Sequence, residues 1–171
     1  MKDWGSVIFL VMIFWCGIFF AAGLDFVIAP LMRDRDHLPD EILIQNLNTD
    51  IKKFELLIKM FKEDTPVSVV HPTWIAPENA ITKERWYEYK KLFSELRLDG
   101  GMRSWLGESI LFTSTAQGLS IGGSSKGYIY KPESPVPLYT NLENISPYSE
   151  KSGKGYKKIN ENWYIYFDWS Y

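Results

Sequence analysis

Residues 40–63 read DEILIQNLNTDIKKFELLIKMFKE. Within this stretch Ile44, Leu47, Ile51, Phe54, Ile58 and Phe61 recur at spacings of 3, 4, 3, 4 and 3, while Gln45, Asn46, Asp50, Lys52, Lys53, Glu55 and Lys59 lie between them. That alternation puts one apolar stripe along a helix, so the spacing predicts an amphipathic helix over 40–63, ended by Pro66. An apolar stripe must be covered. One occupant is the domain's own sheet. The other is a second copy of the helix, because the same six residues also fit the a and d positions of a short coiled-coil seam and would make a homodimer.

C-terminal to this helix, PVSVVHPTWIA at 66–76 is β-prone but broken by proline, which predicts one short strand or an extended connector. A second helix follows. Thr82 is its expected N-cap, Ile81 and Trp86 stand at hydrophobic-staple positions, and Trp86, Tyr89, Phe93 and Leu96 line one face. Asp99-Gly100-Gly101 reads as its stop. Beyond Met102 the pattern becomes β. Expected strands are 103–106, 109–114, 127–130, 156–159 and 162–168, with turn-rich stretches at 116–118, 122–125, 132–137 and 149–155. In the last strand Trp163, Ile165, Phe167 and Trp169 alternate with Tyr164, Tyr166 and Asp168, and Asn160-Glu161 before it suits a hairpin. Two amphipathic helices followed by a mainly antiparallel sheet is an α+β domain.

N-terminal to the first helix lies WGSVIFLVMIFWCGIFFAAGL at 4–24, uncharged throughout. At about 1.5 Å per residue it is long enough for a bilayer core of roughly 30 Å. Residues 1–29 are thus expected to be a single-pass membrane anchor, 30–39 a juxtamembrane linker and 40–171 the soluble domain. A cleaved signal peptide is the competing reading, since Ala21-Ala22-Gly23 supplies small residues. Arg33 and Arg35 favour a cytoplasmic C-terminal side, whereas a short tail before a large domain is the signal-anchor layout. The reading adopted is an inner-membrane protein with an extracytoplasmic domain.

Outside Lys2, Asp3 and Asp25 the chain has 18 basic and 19 acidic residues. That balance provides no field for nucleic acid. The only cysteine, Cys16, lies in the apolar stretch, so the domain forms no disulfide or thiolate metal site. His37 and His71, the two histidines, share no metal-ligand spacing. The run 122–127, GGSSKG, resembles a phosphate loop only superficially and reads as a flexible turn. No metal, cofactor or catalytic residue is expected. Asp99 and Glu108 are the acidic pair that a cell-envelope enzyme acting on glycan or peptide would use.

Aromatic residues make up 16% of the chain. Most are expected in the core. The strand tyrosines Tyr128, Tyr130, Tyr164 and Tyr166 are the candidate partner-binding platform, since tyrosine buries large area at low entropic cost. Lys151, Lys154, Lys157 and Lys158 form a small basic cluster beside a hairpin, suited to solvent or to lipid headgroups. The elements KGYIYKPESPVPLYTNLENI (126–145) and GYKKINENWYIYFDW (155–169) together resemble the C-terminal part of small uncharacterised bacterial single-pass membrane-anchored proteins. The resemblance covers about the last 70 residues and implies no activity or catalytic residue. The functional expectation is a membrane-anchored, non-catalytic binding or accessory protein, immunity- or inhibitor-like or a subunit of an envelope complex.

Overall fold

The computed structural model describes residues 37–119, 122–145 and 152–170. Its first element, α1, runs Asp40–Glu63, with the bounds that the apolar period predicts. Asp40 and Glu41 occupy the first turn and Lys62 the last, each suited to the helix dipole. Leu47, Phe54, Ile58 and Phe61 are buried, and Ile44 and Ile51 are half-buried against the same core. All six residues of the expected seam therefore pack against their own chain. The expected membrane segment at 4–24 lies outside the described residues. Among those residues, no helix is long and apolar enough to cross a membrane.

Residues 66–76 form a hairpin, not a single strand: β1 (Val69–Val70) pairs with β2 (Ile75–Ala76). Next comes α2, Lys83–Leu96. The Thr82 hydroxyl accepts from the Arg85 amide at 3.1 Å, as the capping signal predicts. The helix stops before Asp99, because Arg97 takes a left-handed conformation (φ 55°) and its amide closes onto Phe93 and Ser94. Asp64, just past α1, ties the helices together. One of its oxygens accepts from Arg85 Nε at 2.8 Å and from the Tyr89 hydroxyl at 2.8 Å.

The remaining strands are β3 (Gly101–Ser104), β4 (Ile110–Leu119), β5 (Gly122–Tyr130), β6 (Ser152–Lys158) and β7 (Trp163–Ser170). All seven form one antiparallel sheet in the order β2-β1-β3-β4-β5-β7-β6. The architecture is α+β, with one short hairpin inserted between the helices. The expected turns at 116–118 and 122–125 are strand instead. Ala116, Gln117 and Gly118 pair with Ser125, Ser124 and Gly123. The glycines serve close approach rather than a turn, since a Cβ on Gly118 or Gly123 would collide with the backbone of the facing strand. The phosphate-loop-like run 122–127 is thus part of β5. Asn160 turns the chain between β6 and β7, its side-chain oxygen accepting from the amides of Asn162 (3.0 Å) and Trp163 (3.1 Å).

Both helices cover one face of the sheet. Phe54 of α1 packs edge-on to Phe112, Tyr128 and Trp163 at 5.0–5.6 Å between ring centres. Ile165, Phe167 and Trp169 extend this core along β7, as the alternation predicts. The first residues of the domain are pinned to the same face. His37 Nδ1 lies 2.6 Å from Thr115 Oγ1 and its Nε2 2.8 Å from Ser124 Oγ. Asp40, fully buried, meets Lys126 Nζ at 2.8 Å and Lys157 Nζ at 3.0 Å, and accepts from the Leu142 amide at 3.0 Å.

Candidate binding face

Because side chains alternate across a strand, each residue opposite a core residue shares its face, and its neighbours point to the other. Tyr128 faces Ile165 and Tyr130 faces Trp163, so both lie on the helix-covered side. Tyr128 is fully buried and its hydroxyl donates to the Leu43 carbonyl at 3.0 Å. Tyr164 and Tyr166 pair with Ile129 and Gly127 on the second face. The four tyrosines expected to make one platform therefore divide into two pairs on opposite sides of the sheet. Two of them stay with the candidate face.

The second face has its own small cluster. Leu111, Ile129 and Tyr166 are buried, with Trp105, Tyr156 and Tyr164 half-buried around them. No α1 or α2 residue belongs to it. The cover comes from the sheet. Trp105 follows β3, and Lys154 lies on β6, four places away in strand order. In a flat sheet those strands would be about 19 Å apart at roughly 4.8 Å per step. Yet Lys154 Nζ sits 4.3 Å from the Trp105 ring centre. The contact requires the sheet to coil about this face, as strand twist favours, so that its outer strands approach across it.

Electrostatics hold Trp105 in place. Arg103 stands over the same ring at 4.9 Å, and Lys154 is itself fixed by Asp168 at 3.0 Å. Both cations interact with the indole quadrupole. Arg103 Nε is buried with no hydrogen-bond partner, which leaves one strong donor on this face unused. Tyr166 bonds Thr113 Oγ1 at 2.9 Å. Burial pushes the Tyr166 phenol above the usual tyrosine range. Burial, followed by the nearby Asp168 charge, does the same for Tyr156. Both phenols therefore act as neutral hydrogen-bonding groups at neutral pH. The arrangement can offer a partner aromatic edges from Tyr156 and Tyr164 and the exposed Leu106 at the tip.

The strand pattern alone placed Tyr164 and Tyr166 on one strand face but did not bring Arg103, Trp105, Lys154 and Tyr156 to them. The sign available in the sequence was alternation in the outer strands, where Arg103 and Trp105, and likewise Lys154 and Tyr156, are two residues apart. What joins them is coiling, which no local pattern encodes. The lysine cluster is also divided. Lys157 is committed to Asp40, Lys154 to Asp168 and Trp105, Lys158 is exposed, and Lys151 lies outside the described residues.

The acidic pair is far apart. The Asp99 amide donates to Ser114, beyond the Gly101–Thr113 pair, whereas Glu108 lies in the turn beyond the Ser104–Ile110 pair at the other end of the same hairpin. By strand rise they are on the order of 15 Å apart, beyond the separation that glycoside hydrolysis uses. Among the described residues no group of His, Cys, Asp or Glu is arranged to hold a metal ion.

The fold and this face define a class: an α+β domain with helices on one side of a coiled antiparallel sheet and an aromatic, cation-flanked face on the other. No known protein family, curated protein or solved structure matches the chain.

Proposed function

We propose that the protein is a membrane-anchored, non-catalytic binding protein that holds a protein partner on the second sheet face. The observation that carries this reading is the Trp105–Tyr156–Tyr164 rim. It is aromatic, half-exposed and free of any covering helix among the described residues. Aromatic and arginine side chains of this kind dominate protein interfaces because they bury large area at small entropic cost. The apolar stretch at 4–24 supports the anchoring part, and the partner would be another envelope protein that this chain inhibits, protects or assembles with. The test is photo-crosslinking in intact cells, with a photoreactive phenylalanine analogue at Tyr164 in the full chain and a control at the exposed Lys52 of α1. A discrete adduct from position 164 and none from 52 supports the reading. Equal adducts, or none, count against it.

A second reading, an envelope hydrolase acting on glycan or peptide, has one observation in its favour. His37 Nε2 lies 2.8 Å from Ser124 Oγ, the geometry of a base beside a nucleophile, and its Nδ1 lies 2.6 Å from the Thr115 hydroxyl. Under this reading a fluorophosphonate probe labels wild type and not Ser124→Ala. An unlabelled wild type sinks it.

A further inference from the structure

We propose that the tip of the β1–β2 hairpin, carrying Trp74, seats in the headgroup region of the bilayer to which the chain is anchored. The proposal rests on the anchored reading above and adds which part of the domain touches lipid.

Three observations carry it. The first is position. Val70 pairs with Met102, so β1 runs toward the end of the sheet where Gly101 meets Thr113. His37 is held by Thr115 and Ser124 at that same end. The hairpin tip and the first residue of the domain thus project together. The second is tether length. Residues 25–36, which separate the apolar stretch from His37, number twelve. Fully extended they reach about 40 Å, comparable to the width of a small domain. Under the anchored reading, that tether lets the end of the sheet bearing His37 reach the bilayer surface.

The third is chemistry. The tip, His71-Pro72-Thr73-Trp74, has no acidic or lysine residue, and burial lowers the pKa of His71, favouring its neutral form. Trp74 leaves half its surface exposed, although its ring is held against the His71 imidazole at 5.6 Å. That imidazole is in turn fixed by Thr73, whose amide donates to Nδ1 at 3.1 Å. A large apolar ring is thus presented in a set orientation. Beside it, the Trp86 indole N–H donates to the His71 carbonyl at 3.0 Å, Lys90 lies over the Trp86 ring at 4.5 Å, and Tyr87 is 67% exposed. Tryptophan and tyrosine with a flanking lysine is the composition that membrane interfaces favour, the rings at headgroup depth and the ammonium toward phosphate.

The experiment uses the full chain in phosphatidylcholine–phosphatidylglycerol liposomes, as wild type and Trp74→Phe. Flotation comes first, and a chain that fails to float overturns the anchored reading and this inference with it. For a chain that floats, the wild-type minus Trp74→Phe emission isolates Trp74 from the other tryptophans. The expected difference spectrum is blue-shifted and quenched about twofold or more by nitroxide-headgroup lipid, as for a ring at interfacial depth. A red, unquenched spectrum from a floating chain overturns the inference and leaves the anchor standing. A blue-shifted but unquenched one also overturns it, because protein and not lipid then covers Trp74.

Discussion

Replacing Asp40 by Asn tests a buried charge on which two lysines depend. Asp40 is fully buried and neutralises Lys126, which is itself 3% exposed, at 2.8 Å. Lys157, at 3.0 Å, keeps a second partner in Glu41 at 3.6 Å. Asn preserves shape and can still accept from the Leu142 amide, so the substitution removes charge and little else. It strands Lys126 as a buried cation, and breaking such a pair from one side costs about 3–5 kcal/mol. For a domain of this size that lowers the melting temperature by on the order of 10 °C. The double variant Asp40→Asn with Lys126→Met removes the stranded cation as well and should recover most of the loss. Thermal melts of the full chain in detergent, followed by near-ultraviolet dichroism, give both numbers. The pH dependence supplies a further check. Burial by itself would raise the Asp40 pKa, but hydrogen bonds and charge from Lys126, the Leu142 amide and Lys157 outweigh it, so the net direction is down. A depressed carboxylate contributes stability that is full above the ordinary aspartate pKa and lost as pH falls through the folded value. The gap between wild type and Asp40→Asn should therefore narrow as pH falls below about 4. A loss under about 1 kcal/mol, or a double variant no better than the single, would refute the reasoning.

Three further outcomes are expected. Phe54→Ala removes the ring that meets Phe112, Tyr128 and Trp163 and should cost about 3–5 kcal/mol in denaturant unfolding. Gly101→Ala places a Cβ against the Val70 carbonyl at φ 67°, so it should destabilise well beyond the roughly 1 kcal/mol typical of a surface change. Burial holds the phenols of Tyr89 and Tyr128 above the usual tyrosine range, and for Tyr89 the Asp64 carboxylate adds to it. A raised folded pKa gives stability that is present below the ordinary phenol value and lost as pH rises through the folded one. Absorbance at alkaline pH should therefore show these rings ionising only as the domain unfolds, and a smooth titration of every tyrosine near pH 10 would contradict that.

How far the sequence alone led depended on whether each pattern was local. The bounds of α1, the Thr82 cap, the Asn160 turn and the two-sided alternation of β7 were all legible, since each is set within one or two turns of chain. The Gly- and Ser-rich residues 116–125 misled because glycine signals a turn and also permits close strand approach, and only the facing strand decides between them. The strand tyrosines were legible as alternating residues, but which pair lay under a helix was not. Tyr128 became core because Leu43 and Phe54 of α1 lie over it, a consequence of helix placement and not of strand sequence. The candidate face needed one more non-local step, since Trp105 and Lys154 meet only after the sheet coils.

The start of the domain links these features. Within four residues, His37 reaches β4 and β5 through Thr115 and Ser124 and β7 through the Phe167 ring at 5.3 Å, and Asp40 reaches β5 and β6 through two lysines. The chain is thus fixed to four strands just before and at the start of α1, in addition to the packing of the helix itself. Those strands also form the second face, because Tyr164, Tyr166 and Asp168 lie on the reverse of β7 and Lys154 and Tyr156 on the reverse of β6. Under the proposed function, a partner on the second face and the chain entering at His37 would therefore act on the same hydrogen-bonded strands. Force between them would be carried by the ladder between β5, β7 and β6, whose closely paired registers leave little slack. Under the proposed function, this arrangement keeps a bound partner at a fixed place relative to the point where the chain enters at His37.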